Sequence, residues 1–171
     1  MFNIRDHIRN IVDFPKPGIT FRDITPLLQH PEALTKTTEA LVALVAEQKI
    51  DKVAGIEARG FFFATLLAAE LGAGFVPVRK KGKLPFRAHR VTYDLEYGPD
   101  SLEIHQDAIT PGERILIHDD VLATGGTAAA TANLIERAGG KIVQLNFLME
   151  LSGLGGREKL GSRPVKALLS L

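Results

Sequence analysis

Two adjacent carboxylates, Asp119 and Asp120, are followed after Val121-Leu122-Ala123 by Thr124-Gly125-Gly126-Thr127. Residues of these types in this order suit a phosphorylated sugar. Carboxylates accept hydrogen bonds from neighbouring sugar hydroxyls. A Gly-Gly turn lets the backbone approach an anion closely, and a helix starting there offers N–H groups and its positive dipole end. Thr124 and Thr127 add hydroxyl donors. The apolar run Ile115-Leu116-Ile117 ahead of the acids reads as a strand. The acids then fall at its C-terminal end, where open α/β sheets bind ligands. A lone Asp-Asp or Gly-Gly would be only a solvated strand end or a turn; the ordered succession carries the signal.

The stretch DDVLATGGT, residues 119–127, resembles the phosphoribosyl pyrophosphate loop of the type I phosphoribosyltransferases, most closely in the adenine branch. The resemblance implies that Asp119 and Asp120 hold the ribose hydroxyls and place negative charge near a developing sugar cation. It also implies that Ala123, Thr124, Gly125, Gly126 and Thr127 bind the 5′-phosphate. The family usually has an apolar residue where His118 stands, and a strand histidine with a satisfied ring is the plain reading of it.

Three other segments extend the resemblance. In GIEARGFFFA, residues 55–64, a strand ends, an arginine and a glycine follow, and a helix begins. Arg59 suits a diphosphate because its planar fork binds oxyanions bidentately. The family's pyrophosphate loop reads much like Glu57-Ala58-Arg59-Gly60, which implies a cis peptide between Glu57 and Ala58. The family commonly has glycine at the place of Ala64, a difference that concerns helix packing.

FPKPGITFRDITPLL, residues 14–28, closely resembles the family's base-binding hood. That implies adenine contacts from Thr20, Phe21 and the backbone around Arg22, with Val121 and Leu151 as apolar walls. One residue's C=O and N–H can match the donor and acceptor on the adenine edge, whereas a 6-oxopurine reverses that pattern. Without the resemblance, Phe21 and Ile24 would simply be core.

VRKKGKLPFRAHRVTYDLEYG, residues 78–98, begins as a basic run. Arg79, Lys80, Lys81 and Lys83 could neutralise a pyrophosphate, although a charge run alone is usually a solvated face. Similarity to the family's R-K-x-G-K-L-P implies pyrophosphate binding by Arg79, Lys80 and Lys83, and a homodimer in which one such basic residue reaches the neighbour's site. The following hairpin resembles the family's mobile loop, which closes over the reactants and excludes water. Glu96 matches an acidic residue near the purine imidazole and is the candidate proton acceptor, with Tyr97 beside it. Residues 86–90 depart from the family pattern.

Such a site needs a sheet whose strand ends converge. Ile4, Ile8, Ile11 and Val12 predict a helix over 3–12, broken by Pro15, Pro17 and Gly18. Helices are expected over 31–48, 60–71 and 127–138, and strands over 53–56, 75–78, 114–118, 142–149 and 165–170. Residues 80–89 read as a loop, and 91–97 with 101–105 as a hairpin around Gly98-Pro99-Asp100. Alternating strands and helices predict an α/β fold with a parallel twisted sheet flanked by helices. The 171 residues fit one domain. The resemblance adds the type I phosphoribosyltransferase fold, a hood over about 1–30 and a flexible hairpin over about 79–105.

Composition narrows the function further. With 21 Lys and Arg against 20 Asp and Glu, no bias points to nucleic acid or an anionic membrane. There is no cysteine, and the five histidines show no ligand spacing, so no protein metal cage is expected. The charged, amphipathic start is unlike a secretory signal, and no apolar run reaches membrane-spanning length; a cytoplasmic protein is the expectation. Neither the G-x-G-x-x-G nor the G-x-x-x-x-G-K-[ST] fingerprint is present.

The resemblance implies purine salvage: transfer of the phosphoribosyl group from phosphoribosyl pyrophosphate to adenine, with Mg²⁺ carried mainly by substrate and water. Two rivals share the loop. An oxopurine enzyme usually follows it with a basic residue, where this chain has Leu145, Phe147 and Leu148. A regulator that senses phosphoribosyl pyrophosphate usually carries a DNA-binding domain, for which 171 residues leave no room.

Overall fold

The computed structural model describes residues 2–95 and 98–171. The chain divides into two compact units, Met1–Ala40 and Leu41–Leu171. The first opens with a 3-10 turn, Ile4–His7, capped by the Asn3 side chain, which accepts the Arg5 N–H. β1 (Arg9–Val12) and β2 (Thr20–Asp23) then pair antiparallel, Asn10 opposite Arg22 and Ile11 opposite Phe21. The helix expected over 3–12 is therefore absent among the described residues. The apolar spacing there is compatible with a helix, but residues 9–12 gain a partner strand across the proline-rich turn, and that pairing overrides local periodicity. α1 (Thr25–Gln29) carries Pro26 in its first turn, where the missing N–H costs no hydrogen bond. α2 (Pro31–Val45) runs past the boundary between the units and stops short of residue 48.

The second unit holds β3 (Lys52–Ile56), α3 (Gly60–Glu70), β4 (Gly74–Lys80), β5 (Ala88–Leu95), β6 (Gly98–His105), β7 (Arg114–Leu122), α4 (Gly126–Arg137), β8 (Lys141–Glu150) and β9 (Val165–Ser170). They build a seven-stranded sheet in the order β5-β6-β4-β3-β7-β8-β9. From β4 to β9 the neighbours are parallel; β6 joins β4, and β5 joins β6, antiparallel. α3 lies against β3, β4 and β7, and α4 against β5 through β8. Covered parallel strands read as continuous apolar runs. Ile115, Leu116 and Ile117 on β7, with Leu145, Phe147, Leu148 and Met149 on β8, are accordingly fully buried. α3 packs closely on β3: a Cβ built at Gly55 would lie 2.7 Å from that of Ala64. The alanine at position 64 is thus accommodated by a glycine on the strand beneath it.

Three boundaries differ from expectation, and each matters to the site. β7 continues to Leu122, so Asp119 and Asp120 belong to the strand. β4 reaches Lys80 and β5 begins at Ala88, which shortens the expected 80–89 loop. Gly98, Pro99 and Asp100 do not form the hairpin turn; they lie in β6 opposite Leu95, Asp94 and Tyr93. Proline is tolerated near the start of a strand, and β4 reaches β6 only at Leu102 and Glu103, so Pro99 has no partner on that side among the described residues. Glu96 and Tyr97 lie outside the described residues. No described helix is long and apolar enough to cross a membrane.

Candidate active site

The end of β7 and the start of α4 enclose a small cleft, about 80 Å³, lined by Asp119 and residues 121–128. That is several times what one water needs. The turn into α4 passes through Gly125 at φ +79, the left-handed region that glycine enters without penalty. A side chain there would also strike the Gly156 carbonyl, and one at Gly156 would strike the Ala123 carbonyl. Among the described residues no side chain caps α4. The first N–H groups of a helix have no intrahelical partners, so those of Gly126, Thr127 and Ala128 are oriented for an incoming acceptor, with the positive helix end behind them. Backbone donors, two threonine hydroxyls and the absence of bulk are features suited to an anion of phosphate size. Ala123, Thr124, Gly125, Gly126 and Thr127 are all brought together here.

Of the acidic pair, Asp119 lines the cleft and Asp120 does not. The Asp119 carboxylate accepts the Asp120 N–H at 2.9 Å. Arg59 Nε lies 2.9 Å from Asp120 Oδ2, and Asp120 is almost wholly buried. Gly60 faces the neighbouring carboxylate: a Cβ there would stand 2.8 Å from Asp119 Oδ1 and 2.9 Å from the His118 carbonyl. The turn before α3 therefore seats directly on the acidic end of β7, and only a glycine fits the seat. This role of Gly60 was not read from the Arg-Gly pair, because it depends on a strand far along the chain. Burial, followed by the Asp120 charge, holds the Asp119 carboxyl well above the usual range. Burial raises Asp120 as well, although the Arg59 guanidinium opposes the shift. Two carboxyls that resist ionising together are stabilised by positive charge placed beside them.

In the same turn before α3 the Glu57–Ala58 peptide is cis, as the resemblance implied. The Glu57 carboxylate accepts Arg79 Nε at 3.0 Å and the Lys80 N–H at 2.8 Å. The Arg79 partner, then burial opposing it, leaves Glu57 below its ordinary value. Arg79 also lies over the Phe61 ring, 6.0 Å from its centroid. The Lys80 ammonium donates to Asp100 Oδ2, and at 3.5 Å to the Tyr93 hydroxyl. Lys81 and Lys83 are exposed. Their backbone N–H groups bond Ser101 O and Lys80 O, which shapes a tight turn through Gly82 at φ +77. Glu103 reaches that turn from β6. Its carboxylate, 3% exposed, accepts the Gly82 N–H at 2.9 Å and Arg90 Nε at 2.7 Å. Tyr93, Asp100 and Glu103 carried no signal along the sequence; each acts across strands.

The remaining sites expected from the sequence are placed as follows. Val121 is partly buried on β7 opposite Met149, and Leu151 donates its N–H to the Leu122 carbonyl at 2.9 Å, so both lie at the same end of the sheet. Thr20, Phe21 and Arg22 form β2 in the first unit. β2 pairs with β1 alone, which leaves its other edge outside any ladder among the described residues. The Phe21 ring meets Phe14 edge-on at 5.3 Å, and Arg22 donates to the Asn10 side chain. Leu145, Phe147 and Leu148 are buried sheet core and do not line the cleft, so they say nothing about a base. Among the described residues no cluster of three or more acidic, histidine or cysteine side chains could hold a metal ion.

His118 is fully buried. Asn146 Nδ2 donates to the Leu41 carbonyl at 3.0 Å, so its Oδ1 faces the ring and accepts from His118 Nδ1 at 3.2 Å. His118 Nε2 has no partner among the described residues, and the Phe63 ring packs edge-on at 6.3 Å. The ring is thus satisfied on one side only. Burial, resisted by the bond to Asn146, lowers its pKa to about 4.

The family model of the phosphoribosyl transferase domain matches residues 23–160. The adenine phosphoribosyltransferase of Christiangramia forsetii is 59% identical over 166 residues, 97% of each chain. That of Flavobacterium johnsoniae is 59% identical over 167 residues, 98% of each chain. The crystal structure of adenine phosphoribosyltransferase from Rhodothermus marinus aligns with a TM-score of 0.94 at 57% identity, covering 98% of this chain and 96% of that one. The Saccharomyces cerevisiae enzyme, complexed with an imino-altritol bisphosphate and adenine, aligns with a TM-score of 0.92 at 43% identity, covering 97% and 96%.

Proposed function

The chain belongs to the phosphoribosyltransferase family, in its adenine branch, and from that premise we propose that the cleft at the end of β7 holds phosphoribosyl pyrophosphate while adenine attacks it. The reaction joins adenine to the phosphoribosyl group and gives AMP and pyrophosphate, a step of purine salvage. The bond from the anomeric carbon to pyrophosphate oxygen breaks, the bond from adenine N9 forms with inversion, and N9 loses its proton. The observation that carries the assignment is the acidic pair of β7 feeding directly into a helix-start cradle built around Gly125.

In this reading the 5′-phosphate lies against the N–H groups and hydroxyls of residues 123–127. Asp119 and Asp120 hold the ribose hydroxyls. As the sugar becomes oxocarbenium-like, its positive charge develops beside two carboxyls whose ionisation burial has disfavoured. The stabilisation therefore grows toward the transition state, which is what accelerates a reaction. Arg59, Arg79, Lys80, Lys83 and the Glu57–Ala58 turn receive the pyrophosphate. Arg59 bridges both halves, since it already pairs with Asp120. Glu96 takes the N9 proton. Adenine is read by Thr20, Phe21 and the backbone at Arg22, with Val121 and Leu151 as walls.

Magnesium fits this donor set as a passenger of the diphosphate. Asp119 and Asp120 offer hard oxygen donors, too few for a protein cage, and Mg²⁺ keeps waters and substrate oxygens readily. When bound it neutralises charge on the leaving pyrophosphate. The same reading has the enzyme act in the cytoplasm as a homodimer; sedimentation of the purified protein tests the dimer.

The defining experiment incubates the protein with phosphoribosyl pyrophosphate, Mg²⁺ and each purine base in turn. AMP from adenine, with little product from hypoxanthine, guanine or xanthine, is expected. Product from an oxopurine would overturn the base assignment while keeping the sugar-phosphate site. Binding of phosphoribosyl pyrophosphate without turnover of any base would favour a sensor.

A further inference from the structure

We infer that Tyr93 is a positioning residue that couples the two phosphate subsites, because its hydroxyl ties Thr127 of the 5′-phosphate cradle to Lys80 and Asp100 at the pyrophosphate side. The inference rests on the reading above, in which Thr127 receives the 5′-phosphate and Lys80 the pyrophosphate.

Tyr93 on β5 stands directly opposite Asp100 on β6, and its O–H donates to Asp100 Oδ2 at 3.2 Å. A phenol has one proton. Thr127 Oγ1 lies 3.3 Å from the same oxygen, so Thr127 is the donor in that contact. Lys80 donates both to Asp100 and to the Tyr93 oxygen. Asp100 is itself fixed, since its other oxygen accepts the Ser101 N–H at 2.7 Å. The result is one connected latch in which donors from both subsites converge on the Tyr93–Asp100 pair. Burial works against charge on Lys80, but the bonds to Asp100 and Tyr93 outweigh it and keep the ammonium protonated.

In this arrangement neither donor is fully available to a phosphate. A 5′-phosphate must take the Thr127 proton from Tyr93, and a pyrophosphate must draw Lys80 from Asp100 and Tyr93. Each event removes part of the network that restrains the other. Filling one subsite thereby makes the second easier to fill, and linkage makes the effect reciprocal. Direct repulsion between two anions runs the other way, so the coupling through Tyr93 must exceed it, and the Tyr93→Phe comparison separates it from any effect of Mg²⁺. The latch also joins the β5–β6 hairpin to the start of α4.

The test measures binding of inorganic pyrophosphate with Mg²⁺, by calorimetry, in the absence and presence of saturating ribose 5-phosphate. The wild type is expected to bind pyrophosphate at least about fivefold more tightly when ribose 5-phosphate is present. Tyr93→Phe removes one oxygen and keeps the ring. It should bind each ligand alone at least as tightly as the wild type, yet lose the coupling. Asp100→Asn, which breaks the latch from its other end, should do the same. No coupling in the wild type, wild-type coupling in Tyr93→Phe, or weakened binding of single ligands by that variant would each overturn the inference. Thr127→Ala separates this failure from failure of the underlying reading: unchanged ribose 5-phosphate binding in that variant would refute the 5′-phosphate assignment itself.

Discussion

Acidification offers a sharp test of the buried network behind the acidic pair. His118 has a pKa of about 4 in the folded chain against an ordinary value of 6.5. Above pH 6.5 the ring is neutral in both folded and unfolded chains, and its contribution does not vary. Between pH 6.5 and about 4 the unfolded chain takes up a proton that the folded chain refuses, so stability falls as pH falls. Below that window both states are protonated and the loss is complete. Linkage puts the loss at about 2 kcal/mol by pH 5 and about 3 kcal/mol in full. Depressed carboxylates such as Glu57 and Glu103 also erode stability in acid, at lower pH, while the raised Asp119 and Asp120 act oppositely. The comparison must therefore isolate His118. The perturbation is His118→Leu, which has similar bulk and no titration. It leaves the Asn146 carbonyl oxygen unpaired and lowers stability near neutral pH by about 1–3 kcal/mol, a deficit that shrinks as the pH falls. The informative quantity is the slope. Urea unfolding from pH 7.5 to 5, at one fixed protein concentration because an oligomer would shift the midpoint, should give a variant curve flatter than the wild type by about 2 kcal/mol. Parallel curves would refute the neutral, half-satisfied ring.

Other consequences are as direct. Asp120→Asn should lower kcat by roughly 10²–10³-fold with circular dichroism and melting little changed; wild-type turnover would remove Asp120 from the chemistry. Gly125→Ala should cost about 1–3 kcal/mol of stability and raise the KM for phosphoribosyl pyrophosphate far more than that for adenine. Glu103→Ala should release the turn at Gly82 and raise the same KM, with Glu103→Gln recovering part of the loss; equal effects on both substrates would mean a general structural defect. Glu96→Gln should depress kcat more than either KM, and a change in KM alone would make Glu96 a positioning residue.

The parts of this molecule legible in its sequence are those whose partners are close along the chain. The acids, the glycine turn and the helix start succeed one another within residues 119–127, so their chemistry was visible as a string. The parallel core was legible because strands covered on both faces must be apolar throughout. The first strands were not. Ile4, Ile8, Ile11 and Val12 satisfy a helical period, and only the register of β1 against β2 decides otherwise. Gly98-Pro99-Asp100 has the composition of a turn, yet pairing with residues 93–95 keeps it in β6. The bonds of the Glu57 carboxylate to Arg79 and the Lys80 N–H join residues of different strands and left no local mark. Local residue types gave no means of finding the cross-strand contacts of Tyr93, Asp100 and Glu103.

The interlock of Gly125 with Gly156 has a consequence for how such a protein changes over time. Each glycine occupies the volume that a side chain on the other's segment would need, and the Gly156 position closes on the Ala123 carbonyl as well. The turn after β7 and the turn after β8 are therefore mutually moulded, like two halves of one casting. A substitution in either must be answered in the other before the cradle can hold its shape again. Single replacements at these sites lead nowhere, and any lineage that reshapes the cradle has to alter both turns together.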